Sequence, residues 1–122
     1  MTLEGRRVLV VENDATVAFD VANIIKGAKA EVLGPAATLA EAIRLAQSHS
    51  PSMAVLDFQL GAENSLPLAD KLHASRVPFL FLTSHKPEQI SKFWPRVPIL
   101  CKLAPARELI RVCLSLTGVA IH

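Results

Sequence analysis

The sequence predicts an α/β fold: a five-stranded parallel sheet with helices on both faces. Three observations carry that prediction. Short apolar runs alternate strictly with stretches of helical periodicity along the whole chain. The runs are apolar throughout, as in strands covered on both sides. The segments between them are short, and none is long enough to suggest the crossovers of a barrel.

The first strand is Arg7-Val8-Leu9-Val10-Val11, a β-branched run. Asp14 then caps a helix reaching about Ala28, with Val17, Val21, Ile24, Ile25 and Ala28 on one face. Ala30-Glu31-Val32-Leu33 forms a short second strand, stopped by Gly34-Pro35. Thr38-Leu39-Ala40-Glu41 has the spacing of a capping box and opens a second helix ending near Ser48. Met53-Ala54-Val55-Leu56 is the third strand and delivers Asp57 at its carboxyl end. A loop through Leu60-Gly61 leads to a third helix, Leu66 to Ala74. The fourth strand, Phe79-Leu80-Phe81-Leu82, ends at Thr83-Ser84. A short helix from Pro87 to Phe93 stops before Pro95. The fifth strand, Pro98-Ile99-Leu100-Cys101, leads to Lys102, and Pro105 opens a last helix to about Leu116.

The chain has 122 residues, 51% of them hydrophobic and 20% charged. That excludes disorder and predicts one domain spanning residues 1–122, with no output domain behind it. Thirteen basic residues face eleven acidic ones, a balance too even to indicate nucleic acid or a membrane surface as a partner. No apolar stretch reaches transmembrane length, and the N-terminus lacks a signal peptide's apolar region. Cys101 and Cys113 have no metal or redox spacing and read as reduced, buried thiols of a cytoplasmic protein.

In open parallel sheets, ligands bind outside the carboxyl ends of the strands. The polar residues there are Glu12, Asn13 and Asp14 after the first strand, and Asp57 after the third. Thr83 and Ser84 follow the fourth, and Lys102 the fifth. Acids with an amide oxygen make a hard-oxygen site suited to Mg²⁺. A lysine and a hydroxyl beside it suit the oxygens of a phosphoryl group. Asp57 is the nucleophile of that scheme, because a carboxylate can carry phosphate as an acyl phosphate. Each residue also has a structural use: Asp14 as a cap, Thr83 as a strand end, Lys102 as surface. A carboxylate after four apolar residues is harder to explain that way, since an unpaired buried charge is costly.

From Val8 to about Leu116 the chain resembles the receiver domain of bacterial two-component response regulators. The resemblance rests on Val8-Leu9-Val10-Val11-Glu12, Val55-Leu56-Asp57 with Leu60, Phe81-Leu82-Thr83, and Lys102 with Leu109. Gly34-Pro35-Ala36-Ala37-Thr38-Leu39-Ala40-Glu41-Ala42 and Asp57-Phe58-Gln59-Leu60-Gly61 are similar to a subset of stand-alone receivers in proteobacteria. The resemblance implies a flavodoxin-like sheet of order 2-1-3-4-5. It implies that Asp57 takes a phosphoryl group from the phosphohistidine of a sensor histidine kinase. Glu12, Asn13, Asp57 and the backbone carbonyl of Gln59 would hold Mg²⁺. Lys102 would pair with the phosphate and the Thr83 hydroxyl would turn toward it. The signal would leave through the fourth helix, fifth strand and fifth helix to a downstream protein. The chain is not expected to be an enzyme in its own right.

Three positions depart from the family pattern. Asn13 stands where a second acid is usual, which predicts weakened Mg²⁺ binding. Ile99 replaces the aromatic residue that couples to the threonine. Leu103 replaces the proline after the lysine, so a cis peptide bond there is disfavoured by about 2.5–4 kcal/mol. The last helix is also unusually apolar, with Leu109, Ile110, Val112, Cys113, Leu114 and Leu116. Either it is a core helix with Val119 and Ile121 packing back, or it joins Phe93 and Trp94 in a homodimer surface.

A phosphorylated stand-alone receiver and a degenerate, phosphate-independent binding module both fit. Asp57, Thr83 and Lys102 favour the first, and Asn13, Ile99 and Leu103 the second. A haloacid-dehalogenase-type phosphatase would want a second Asp where Gln59 stands, and a flavodoxin a Ser/Thr/Gly loop where Glu12-Asn13-Asp14 stands. His49, His73, His85 and His122 lack ligand spacing, and His85 lies near the proposed site.

Overall fold

A computed structural model describes residues 2–84, 87–102 and 104–118. His85, Leu103 with its peptide bond, Val119, Ile121 and His122 lie outside the described residues, so the readings made on them do as well. In chain order the elements are β1 (Arg7–Val11), α1 (Ala15–Gly27), β2 (Glu31–Ala36), α2 (Leu39–His49), β3 (Met53–Leu56), β4 (Gln59–Leu60), β5 (Glu63–Asn64), α3 (Leu66–Ala74), β6 (Phe79–Thr83), α4 (Pro87–Ser91), β7 (Ile99–Cys101) and α5 (Ala106–Leu116).

Five parallel strands pair in the order β2-β1-β3-β6-β7. Counting only those five along the chain, the order is 2-1-3-4-5, as expected. The central strands are apolar throughout because both faces are covered, with side chains alternating between them. Val8 and Val10 of β1, Met53 and Val55 of β3, and Leu80 and Leu82 of β6 share one core with Val21 and Ile25 of α1 and Leu109, Cys113 and Leu114 of α5. Leu9, Val11, Ala54, Leu56, Phe79 and Phe81 point the other way, into a core with Ala42 of α2, Leu68, Ala69 and Leu72 of α3 and Ile90 of α4.

Four expectations need correction. The second strand does not stop at Gly34-Pro35 but runs to Ala36. The partners Leu9↔Leu33 and Val11↔Ala36 show one extra residue on β2, a bulge. An edge strand tolerates proline there because its outward side needs no ladder partner. Gly34 is required, since at its φ of +94° an added Cβ would lie 2.6 Å from the Ala36 nitrogen. The loop after Asp57 contains a small antiparallel hairpin, with Gln59 opposite Asn64 and Leu60 opposite Glu63. Helix α4 ends at Ser91 rather than Phe93. Of the two thiols only Cys113 is buried, which pushes its pKa up to about 12, whereas Cys101 is exposed.

The apolar residues of α5 are taken up by the core: Leu109, Cys113 and Leu114 are buried, and Ile110, Val112 and Leu116 pack half-buried against it. Phe93 stays 57% exposed, while Trp94 packs on the Phe79 ring at 5.3 Å and the His73 ring at 5.1 Å.

Helix α3 begins unusually. Ser65 holds the cap position without a side-chain cap bond, and its buried Oγ has no hydrogen-bond partner. The Asn64 Oδ1 instead accepts from the Leu66 N–H at 3.0 Å. Ser65→Ala is therefore expected to leave stability unchanged or raise it by about 1 kcal/mol, by removing an unsatisfied hydroxyl. An ordinary cap would lose about 1 kcal/mol on the same change. Urea unfolding distinguishes the two, and a loss of that size would show the hydroxyl to be engaged.

Candidate functional site

The registers of the sheet build the site. Val11 of β1 lies opposite Leu56 of β3, so Glu12 and Asp57 emerge side by side at the carboxyl edge. The Asp57 N–H donates to the Val11 carbonyl at 2.8 Å, and the Glu12 N–H to the Ala36 carbonyl at 2.9 Å. Further along, Thr83 of β6 lies opposite Cys101 of β7. The next N–H, that of Lys102, donates to the Thr83 carbonyl at 2.9 Å. Residues 12, 57, 83 and 102 thus stand at one edge of the sheet, where four parallel strands end, and the side chains of Glu12, Asp57 and Lys102 meet there.

Lys102 closes the group. Its Nζ lies 2.9 Å from Glu12 Oε1 and donates to Glu12 Oε2 and Asp57 Oδ2, each at 3.1 Å. Glu12 and Asp57 are 4% and 3% exposed, so two buried carboxylates share one ammonium. Burial raises the Glu12 pKa; the Asp14 N–H and Lys102 pull it back, and Asp57 adds to the rise. Burial works against the Lys102 charge, but its hydrogen bonds to Glu12 and Asp57 outweigh that and lift its pKa.

Asp14 is committed elsewhere. Its Oδ1 accepts from the Thr16 and Val17 N–H groups at 2.9 and 3.2 Å, capping α1. Its own N–H donates to Glu12 Oε2 at 2.9 Å and so orients that carboxylate. Thr83 is fully buried at the end of β6. Asn13 is exposed beside Glu12 and stands outside the lysine-bridged group. Gln59 lies in the hairpin that follows Asp57. Its side chain crosses that hairpin's turn, a contact sequence reasoning missed. The signal for it was Gly61, a residue suited to the first central position of a two-residue turn.

The donor set fits a hard divalent cation. Two buried carboxylates converge on a point where the structure already holds a positive charge, that of Lys102. The Asn13 amide and the Gln59 carbonyl adjoin that point in sequence and would complete an oxygen set with one acid fewer than a paired-acid site.

A family model of the response regulator receiver domain matches residues 8–94. Lys102 and α5 lie beyond that span. Among curated proteins, the transcriptional regulatory protein PdtaR of Mycobacterium tuberculosis is 29% identical over 80 residues, covering 65% of this chain and 39% of that protein. The phyllosphere-induced regulator PhyR of Methylorubrum extorquens is 31% identical over 81 residues, covering 64% of this chain and 30% of that protein. The chain therefore spans well under half the length of these relatives. Among solved structures, the non-phosphorylated HemR receiver domain of Leptospira biflexa superposes with a TM-score of 0.78 at 24% identity, covering 96% of this chain and 98% of that one. A CheY-like receiver domain protein of Methanospirillum hungatei gives 0.82 at 19% identity, covering 93% and 94%. These two likenesses speak for the fold.

Proposed function

We propose that this chain, which belongs to the response regulator receiver domain family, takes a phosphoryl group on Asp57 from the phosphohistidine of a sensor histidine kinase and signals through protein contacts. The observation that carries the reading is the Asp57 carboxylate, buried at the sheet edge and held 3.1 Å from a lysine it shares with Glu12. An Asp57 oxygen attacks phosphorus, the phosphorus–nitrogen bond of the donor breaks, and an acyl phosphate forms. Glu12, Asp57, the Asn13 amide oxygen and the Gln59 carbonyl would hold Mg²⁺, which when bound would neutralise part of the phosphoryl charge. Lys102 follows the new negative charge, and the Thr83 hydroxyl donates to it. The modification adds about −1.5 to −2 of charge, enough to bias a two-state surface. A kinase must approach beside the site, where Phe19, 66% exposed, lines a depression of about 390 Å³ together with Glu12, Asn13 and Pro35.

Among the described residues no helix is long and apolar enough to cross a membrane. Our reading places the protein in the cytoplasm, with a downstream protein rather than nucleic acid or a membrane as its output.

Incubation with acetyl phosphate and Mg²⁺, followed by intact mass, tests the reading. One phosphoryl adduct per chain is expected. Its absence would favour the second reading, a phosphate-independent binding module. That reading draws on exposed Asn13 and on half-buried Ile99, an aliphatic side chain that packs with Phe81 and the Trp94 cluster.

Asn13→Asp is expected to tighten Mg²⁺ binding severalfold, because it restores a negative donor beside Glu12. Calorimetric titration of both forms checks this, and equal affinities would remove Asn13 from the metal set. A homodimer remains part of the proposal, with exposed Phe93 as its apolar contact. Sedimentation velocity at micromolar concentration is expected to show it, and a single monomeric boundary with and without phosphate would exclude it.

A further inference from the structure

Gln59 has two separate roles open to it, one through its backbone and one through its side chain. Its Nε2 donates to the Gly61 carbonyl at 2.6 Å and to the Glu63 carbonyl at 3.1 Å. Both amide hydrogens are thereby used, one on the turn and one on the facing strand. The hairpin they tie is minimal: β4 and β5 have two residues each, joined by Gly61 at φ +65° and Ala62. Hairpins this small do not hold themselves together in water.

The surroundings of the Gln59–Leu60 peptide are fixed on every other side. Two residues before Gln59, Asp57 is tied to β1 through its N–H. Just after it, Leu60 is 6% exposed and packed in the core beneath α2 and α3. At the far end the Ser65 N–H donates to the Phe58 carbonyl at 2.8 Å, closing the loop's base. The turn is the remaining free part, and the Gln59 side chain spans it.

We infer that the Gln59 side-chain amide is a positioning residue for the divalent cation, locking the β4–β5 turn so that the Gln59 backbone carbonyl stays where the metal is taken up. This rests on the proposed reading of that carbonyl as a ligand. The residue type suits the task. An amide donates twice without charge, whereas Glu would set further oxygens against two carbonyls and Lys or Arg would add a cation beside a cation site. The exposed amide at Asn13 makes the task weightier: with one acid missing, neutral oxygens and their placement carry more of the affinity.

The test compares Mg²⁺ binding by calorimetry in the full chain, Gln59→Met, Gln59→Asn and Glu12→Gln. Methionine keeps the length and loses the donors, and asparagine keeps the donors but is too short to span both carbonyls. Each Gln59 variant is expected to bind Mg²⁺ about tenfold more weakly. The metal-free unfolding midpoint should hold while exchange of the Glu63 amide, which pairs across the turn with Leu60, quickens. Acetyl phosphate labelling of either variant should recover at saturating Mg²⁺, which a merely structural defect would not allow. Equal Mg²⁺ affinity in the full chain and a folded Gln59 variant would overturn the inference and leave the site reading intact. Failure of the unaltered chain to bind Mg²⁺, or binding indifferent to Glu12→Gln, would overturn both.

Discussion

Asp57→Asn is expected to abolish phosphoryl incorporation and, in the same protein, to raise stability by about 1–3 kcal/mol. The first effect follows from loss of the only nucleophile in the proposed scheme. The second follows from charge. Glu12 and Asp57 are both almost fully buried and share one ammonium, so the group carries an uncompensated negative charge. Asparagine keeps the shape, removes that charge and leaves Glu12 and Lys102 as a matched pair. Intact mass after acetyl phosphate treatment and urea unfolding at pH 7 check the two effects separately. An adduct persisting in the variant would move the acceptor elsewhere. A variant less stable than the parent would mean that Asp57 is compensated by more than Lys102.

Lys102→Met is expected to act in the opposite direction. Removing the ammonium strands two buried carboxylates, and breaking a buried pair from one side costs about 3–5 kcal/mol. Adding Glu12→Gln to Lys102→Met should recover part of that loss, because one stranded charge is then gone. A double-mutant cycle in urea isolates the coupling. A loss under about 1 kcal/mol would place the three groups in effective contact with water. The pH dependence has a definite sign. The folded-state pKa of Lys102 is raised, so its contribution is fully present below the ordinary lysine value of about 10.4. It is lost only as pH climbs through the higher folded value. The gap between parent and variant should accordingly stay level from neutral pH to about pH 10.

Much of the fold is legible in the sequence, for identifiable reasons. Strands β1 and β3 and helix α3 fall at the residues the pattern assigns them, Arg7–Val11, Met53–Leu56 and Leu66–Ala74. Strands buried on both faces leave unbroken apolar runs, and the ends of β1 and β3 are marked by the carboxylates Glu12 and Asp57. Helix α1 starts where Asp14 can cap it, and Asp14 does cap it. What escaped the reading was set by partners far away in sequence. β2 continues past Gly34-Pro35 because β1 offers it a ladder, which local propensity does not record. β4 and β5 are too short to show any period. At the site, Glu12, Asp57 and Lys102 stand out because each follows a strand. That a single ammonium bridges both carboxylates depends on side-chain reach and could not be read from spacing. The Gln59 amide was hidden for the same reason.

The bulge in β2 bears on how this molecule can meet others. An open sheet has two borders whose unpaired N–H and C=O groups can template a strand from another chain, the route to domain swapping and amyloid. Here one border is kinked at Gly34 and deprived of a donor at Pro35, and the other, β7, offers only Ile99–Cys101. Neither presents a long, flat row for strand addition. Contacts with other proteins are thereby left to side chains on helices and loops, the surfaces that the proposed charge at Asp57 would reset, rather than to backbone pairing.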